Sequence, residues 1–347
     1  MLKKENFTLD HVNSLRGQYH RDPLLLERTV YACGLLEALA RVGLPFVFKG
    51  GTCLMFLVKS PRRLSTDIDI VVAPEIDVEA FIEKAQVIFP FVTSTEQIRK
   101  KHGAIEKRHF KFSYDSPVAG RPSYILLDIL FEEAQYTNIV ERPIENGLLL
   151  TEGEPLNVHI PDVDSILGDK LTAFAPHTIG IPLGVDKDME IMKQFYDVAT
   201  LFDAVEDFEA VRKTYYAVAL REIAYRGLSV SPEETLLDTY ESALCIATRG
   251  RISPSDYRAY VKGCRGMSGH IFSESYSAEA AALQAVKVMY AAQCLIKNRS
   301  FESVSDPDKY FDEKLTSPDL LRLKNFRDRS REAFSYLVLL DRMLSHS

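Results

Sequence analysis

The stretch FVFKGGTCLMFLVKSPRRLSTDIDIVV, residues 46–72, most constrains what this chain can become. FVFKG is a short β-type run. TCLMFLV fits a short buried helix opened by Gly50, Gly51 and Thr52, and DIDIVV reads as a second strand. Side chains on a strand alternate faces. Asp67 and Asp69 therefore share one side, about 7 Å apart along the chain, while Ile68 and Ile70 point into a core. Two carboxylates on one face repel each other. A divalent cation relieves that repulsion, because hard cations take oxygen ligands. A lone pair of aspartates is more often a solvated strand end, so the pair gains meaning only from its surroundings.

Two features supply those surroundings. In SYILLDILF, Asp128 stands between Leu127 and Ile129. A buried, isolated carboxylate is costly unless it is paired, protonated or metal-bound. If this strand lies beside residues 67–72, Asp128 completes a triad of carboxylates. The other feature is the turn KGGT, Lys49 to Thr52. Glycines there let backbone approach a ligand closely, and a helix start offers free N–H groups to a phosphate. Taken alone, the turn reads as a tight bend with Thr52 capping the helix. It contains no GxxxxGK[ST] loop.

Along the chain, residues 23–43 carry apolar positions at helical spacing, and residues 77–88 read as a further helix. RHFKFSYD, SYILLDILF and LNVHI read as strands. After Pro161 nearly everything reads as helix, for example 162–174, 188–204, 207–227, 278–298 and 318–345. The expectation is an α+β architecture in two parts. Residues 1–160 form the core with an N-terminal helix, and residues 161–347 form a helical domain.

A net charge of −7 argues against a wholesale nucleic-acid coat. A basic strip does stand out, RKKHGAIEKRHFKFSY at 99–114, with Arg99, Lys100, Lys101, Lys107, Arg108 and Lys111 against one glutamate. It reads as a solvated hairpin or an RNA contact. Arg62 and Arg63, just before the aspartate strand, are better placed to neutralise a triphosphate. His102 and His109 read as surface residues. The five cysteines are widely spaced with no CxxC, which fits reduced thiols in the cytoplasm and no zinc site. The N-terminal stretch lacks an apolar signal core, and no run is long enough for a membrane helix.

Lys170 lies on a helix with apolar Ile166, Leu167, Leu171 and Phe174. Its ammonium can reach a phosphate as a compact charge, or snorkel at a helix edge. Asp197, between Tyr196 and Val198, reads as a functional group, a surface carboxylate or a partner for Lys193.

KGGTCL, then RRLSTDIDIVV, then an aspartate in an apolar strand, resembles the polymerase-β-like nucleotidyltransferases. More narrowly it resembles the AbiEii/AbiGii toxin family, whose pattern is KGGTxL, a spacer and R-x-S-x-D-x-D. The resemblance covers about residues 25–205. It implies a polymerase-β-like core followed by a helical domain. It implies a metal-dependent transfer of a nucleotide from an NTP to an acceptor hydroxyl, in a bacterial toxin–antitoxin or abortive-infection system. In that reading Lys49, Gly50, Gly51, Thr52 and Arg63 belong to the triphosphate-binding turn and its flank. Ser65 is implied in nucleotide binding too, and it stands where related toxins carry a regulatory hydroxyl. Asp67, Asp69 and Asp128 hold Mg²⁺ or Mn²⁺, and Asp128 also activates the acceptor. Lys170, in ILGDKLTAF, contacts the nucleotide, and Asp197, in MKQFYDVATLF, ends the last family motif. One position departs from the pattern: Gln194 replaces the first acidic residue of that motif. The implied acceptor is the 3′ end of a tRNA, and the implied protein partner is a cognate antitoxin. Transfer to a small molecule or a protein side chain, and non-catalytic NTP binding, are the alternatives.

Overall fold

A computed structural model describes residues 1–57, 62–97, 106–272 and 276–345. Arg99, Lys100, Lys101 and His102 of the basic strip lie outside the described residues. The helices and strands to Pro161 are α1 (Leu9–Tyr19), α2 (Pro23–Arg41), β1 (Val47–Lys49), α3 (Gly50–Leu57), β2 (Ile68–Val72), α4 (Glu79–Ala85), β3 (Thr93–Glu96), β4 (Lys107–Ser116), β5 (Arg121–Phe131), β6 (Ile139–Pro143) and β7 (Asn157–Pro161). Helices α5 (Val163–Ala173), α6 (Asp188–Leu201), α7 (Phe208–Arg226), α8 (Pro232–Ala247), α9 (Pro254–Met267), α10 (Ala278–Lys297) and α11 (Arg331–Ser345) follow. The chain divides into two compact units. One comprises Met1–Asp162 with Gly269–Glu274, the other Val163–Ser268 with Ser275–Ser347.

Among the described residues the first unit contains a seven-stranded mixed sheet in the order β3-β4-β5-β2-β1-β7-β6. β1 runs antiparallel to β2, and β2 runs parallel to β5. Strand alternation explains its core: Ile68, Ile70, Ile125, Leu127 and Ile129 are almost wholly buried, as the period of two requires. Helix α2 begins at Asp22, whose carboxylate accepts from Leu25 N–H, with Pro23 in the first turn. Leu26, Val30, Leu35, Leu36 and Leu39 are completely buried on it. Buried on the same helix is Glu27. Its carboxylate accepts from Tyr114 Oη (3.1 Å), Ser116 Oγ (2.7 Å) and Val118 N–H (2.9 Å), the condition on which a buried charge is tolerated.

The second unit is helical. Its helices are bounded by legible caps. Ser231 and Glu234 form a capping box on α8, Asp207 caps α7, Ser277 caps α10, and Gly227 and Asn298 end α7 and α10 in left-handed conformation. Alanines 281, 282, 285, 291 and 292 of α10 are buried, and their small size admits close packing against α8.

Some expectations need correcting. Residues 318–345 are not one helix. A 3-10 helix, Leu320–Asp328, ends before α11, and Ser330 Oγ caps α11 by accepting from Ala333 N–H. The helix expected over 77–88 spans Glu79–Ala85, and strands β3 and β6 had no sequence expectation. All five cysteines are buried free thiols, and burial pushes Cys33, Cys264 and Cys294 up to about 12. Among the described residues no helix is long and apolar enough to cross a membrane.

Candidate active site

The register of the central strands assembles a row of ionisable groups. Lys49 on β1 pairs with Asp69 on β2, Asp69 with Asp128 on β5, and Asp128 with His109 on β4. In-register neighbours on adjacent strands face the same side, with strands roughly 4.8 Å apart. Asp69 and Asp128 are therefore adjacent carboxylates. Asp67 immediately precedes β2 and, like Asp69, is half-buried. Asp67 Oδ1 lies 3.8 Å from Arg28 Nη2, a long and half-exposed ion pair. Among the described residues, no three His, Cys, Asp or Glu side chains gather to hold a metal ion. The donor chemistry of the row nevertheless suits a hard cation, since two adjacent aspartates offer only oxygen.

Asp128 differs from its sequence expectation. Its side chain is 35% exposed, so the cost of a buried charge does not arise. His109 is not a surface residue either. Its side chain is 16% exposed, and its Nδ1 donates to Asp128 Oδ1 at 2.7 Å. Sequence reasoning missed this pairing because it depends on the β4–β5 register.

The glycine turn closes tightly on the row. α3 begins at Gly50, whose φ is +80°. A Cβ there would fall 2.1 Å from Asp69 Oδ2 and 2.9 Å from Asp69 Cβ, so only glycine fits. A Cβ on Gly51 would lie 2.6 Å from Arg63 Nη2 and 2.9 Å from Ser65 Oγ. Thr52 is completely buried, and its Oγ1 donates to Asp67 O at 2.6 Å. The hydroxyl thus ties the start of α3 to the residue just before β2. Lys49 Nζ stands 5.9 Å from the centre of the Tyr136 ring.

Arg63 is only 5% exposed, while Arg62 is exposed. A distant segment braces them. Leu64 N–H donates to His270 O at 2.7 Å, Phe272 N–H donates to Arg62 O at 3.1 Å, and Arg63 bridges Ile271. Arg21 Nη2 donates to Phe272 O, and Phe272 meets Tyr19 edge-on. Of the basic strip, Arg108 pairs with Glu79 and Glu96, and Lys111 lies 4.3 Å from the Tyr124 ring centre.

In the helical unit, Lys170 on α5 and Asp197 on α6 form a buried pair. Nζ lies 3.1 Å from Asp197 Oδ2, with side chains 6% and 1% exposed. Lys170 Nζ also donates to Gln194 Oε1 at 2.9 Å. The two motif residues thus act on each other, and the departing Gln194 is an acceptor for the same lysine. In this unit His177 stands between two carboxylates. Its Nδ1 donates to Asp238 at 2.8 Å and its Nε2 lies 3.2 Å from Asp256. The hydrogen bond to Asp238 raises its pKa to about 9.

A family model described as nucleotidyl transferase AbiEii toxin, type IV toxin–antitoxin system, matches residues 34–283. No curated protein matches the sequence. Two solved structures from Helicobacter pylori are similar in backbone. JHP933 has a TM-score of 0.44 and 11% identity, over 78% of this chain and 93% of that one. A protein described as a "putative nucleotidyltransferase" has a TM-score of 0.44 and 12% identity, over 78% and 96%. The matched residues run from within α2 through the glycine turn, the aspartate strand and the Lys170–Asp197 pair into α10, and the chain belongs to the AbiEii nucleotidyltransferase toxin family.

Proposed function

We propose that this chain transfers a nucleoside monophosphate from an NTP to an acceptor hydroxyl, the 3′ end of a tRNA, and that a cognate antitoxin restrains it. The observation that carries the reading is the glycine turn closed onto a row of in-register carboxylates. Family membership agrees with it. Asp67 and Asp69 would hold Mg²⁺ or Mn²⁺, with Asp128 beside them. The cation, when bound, supplies charge neutralisation for the phosphates and the leaving pyrophosphate.

The rest of the chemistry belongs to the chain's own groups. Backbone N–H groups at Gly50 and Gly51 face the phosphates, and the absence of Cβ atoms lets the chain approach them closely. Arg63 and Lys49 add positive charge at the turn. Asp128 takes the acceptor proton, and His109 holds the Asp128 carboxylate in one orientation through its hydrogen bond. Lys170 contacts the nucleotide, with Asp197 and Gln194 fixing its ammonium.

The test is an incubation of purified protein with Mg²⁺, total tRNA and each α-labelled NTP in turn. Label on tRNA with one NTP, absent in an Asp67→Ala, Asp69→Ala variant, is the expected result. No label on tRNA, protein or small molecules would overturn the catalytic reading.

A further inference from the structure

The helical unit contains a hollow of about 470 Å³ between the end of α8 and the 3-10 helix Leu320–Asp328. Four of its lining residues, Arg249, Arg251, Arg322 and Lys324, are cationic, and among the described residues no carboxylate lines it. This arrangement stands out on a chain of net charge −7. Arg249 is held by Glu279 at 2.6 Å. Arg251, Arg322 and Lys324 are exposed, and none of them makes an ion pair among the described residues. The negative end of α8 does not cancel them. Thr248 and Gly250 N–H groups return to Leu244 O and Cys245 O, and Thr248 Oγ1 also donates to Leu244 O.

We infer that this hollow binds phosphodiesters of a nucleic-acid backbone, and that it is a docking site for the RNA acceptor. The inference rests on the transfer reading above. Two chemical reasons favour a phosphate. A guanidinium presents a planar fork that matches phosphate oxygens, and two of the three uncommitted cations are arginines. Three cations that make no ion pair among the described residues, around one concave surface, also repel one another, and a polyanion relieves that repulsion. The described part of the basic strip on β4 is less suited to this task. Its Arg108 already carries two glutamates, and its Lys111 lies against Tyr124.

The experiment uses the full chain and a fluorescein-labelled tRNA. Affinity is measured by anisotropy between 50 and 200 mM salt for the wild type and for the triple variant Arg251→Gln, Arg322→Gln, Lys324→Gln. A second triple variant, Lys84→Gln, Arg121→Gln, Lys314→Gln, matches its net charge. Each lost phosphate contact lowers the slope of log K against log salt by about 0.7–0.9, so the hollow variant should lose roughly 2–3 in slope. Its affinity near 150 mM should fall by about 10–100-fold on the same basis, while the control stays near wild type. Equal slopes for all three proteins, or an equal loss in the control, would overturn the inference. So would loss of inorganic-phosphate binding in the hollow variant with its RNA slope intact, which would make the hollow a free-anion site. Transfer assays separate this inference from the transfer reading. Slope loss with no nucleotide transfer by the wild type would remove the transferase and keep the docking site. Transfer to tRNA with unchanged KM in the hollow variant would keep the transferase and remove the docking site.

Discussion

Gly50→Ala separates two costs that the glycine turn combines. At φ +80° an alanine pays for a left-handed backbone, roughly 1–2 kcal/mol. It also brings a Cβ to 2.1 Å from Asp69 Oδ2. Rotating the carboxylate away does not help, because Asp69 Cβ itself lies 2.9 Å from the new atom. Either the turn or β2 must move by on the order of 1 Å, and a displacement of that size at reacting groups costs about 10²-fold in rate. Gly43→Ala is the matched control. Its φ is +76°, and nothing lies within 4 Å of its added Cβ. Urea melts at constant m should show Gly43→Ala down by roughly 1–2 kcal/mol and Gly50→Ala down by about 2–4 kcal/mol. Nucleotide transfer should survive in the first and fall at least about 100-fold in the second. Equal midpoints for the two variants, with equal transfer, would refute the claim that Asp69 crowds the turn.

Three further outcomes follow from the geometry. Lys170→Met removes the charge facing buried Asp197 and should cost about 3–5 kcal/mol in urea melts, much of it recovered when Asp197→Leu is added. Additive losses would show that the pair is not coupled. For His177 the folded pKa is raised from 6.5 to about 9, so its contribution is complete below pH 6.5 and lost as pH rises through 9. The full shift corresponds to roughly 3 kcal/mol, and a half-exposed side chain reduces it to about 1–2 kcal/mol. The stability gap between wild type and His177→Gln should therefore be present at pH 6 and vanish by pH 10, and a gap that grows with pH would contradict the assignment. Glu27→Leu leaves two hydroxyls and one N–H without their acceptor and should destabilise by at least about 3 kcal/mol, measured by thermal melting. A loss under 1 kcal/mol would mean that the Glu27 network contributes nothing net.

Short-range periodicity made much of this site legible. The alternation in DIDIVV separated the aspartates from Ile68 and Ile70, and the structure buries both isoleucines. The placement of β5 beside β2 was stated as a condition on Asp128, and the register meets it. What escaped depends on long-range pairing. His109 reaches Asp128 only through the β4–β5 register, which no local pattern specifies. Burial of Asp128 was expected from its apolar neighbours, yet those flanking residues occupy the opposite face of the strand. The pairing of Lys170 with Asp197 joins two helices, and a neighbour in sequence, Lys193, was the partner that local reasoning offered. The break before α11 did have a signal: Ser330 precedes its first turn as an ordinary cap.

The brace formed by residues 269–272 has a consequence for timing. His270 and Leu64 are 206 positions apart, and ribosomes add roughly 5–20 residues per second. For about 10–40 s after Leu64 is made, Arg63 has no Ile271 to bridge to and Leu64 N–H has no His270 carbonyl to donate to. A nascent chain can complete its sheet during this interval while the approach to the aspartate strand stays unsupported. The first unit therefore cannot be obtained whole by stopping translation at residue 162. During synthesis, the glycine turn and the aspartate strand are therefore both made well before the segment that braces Arg62–Leu64.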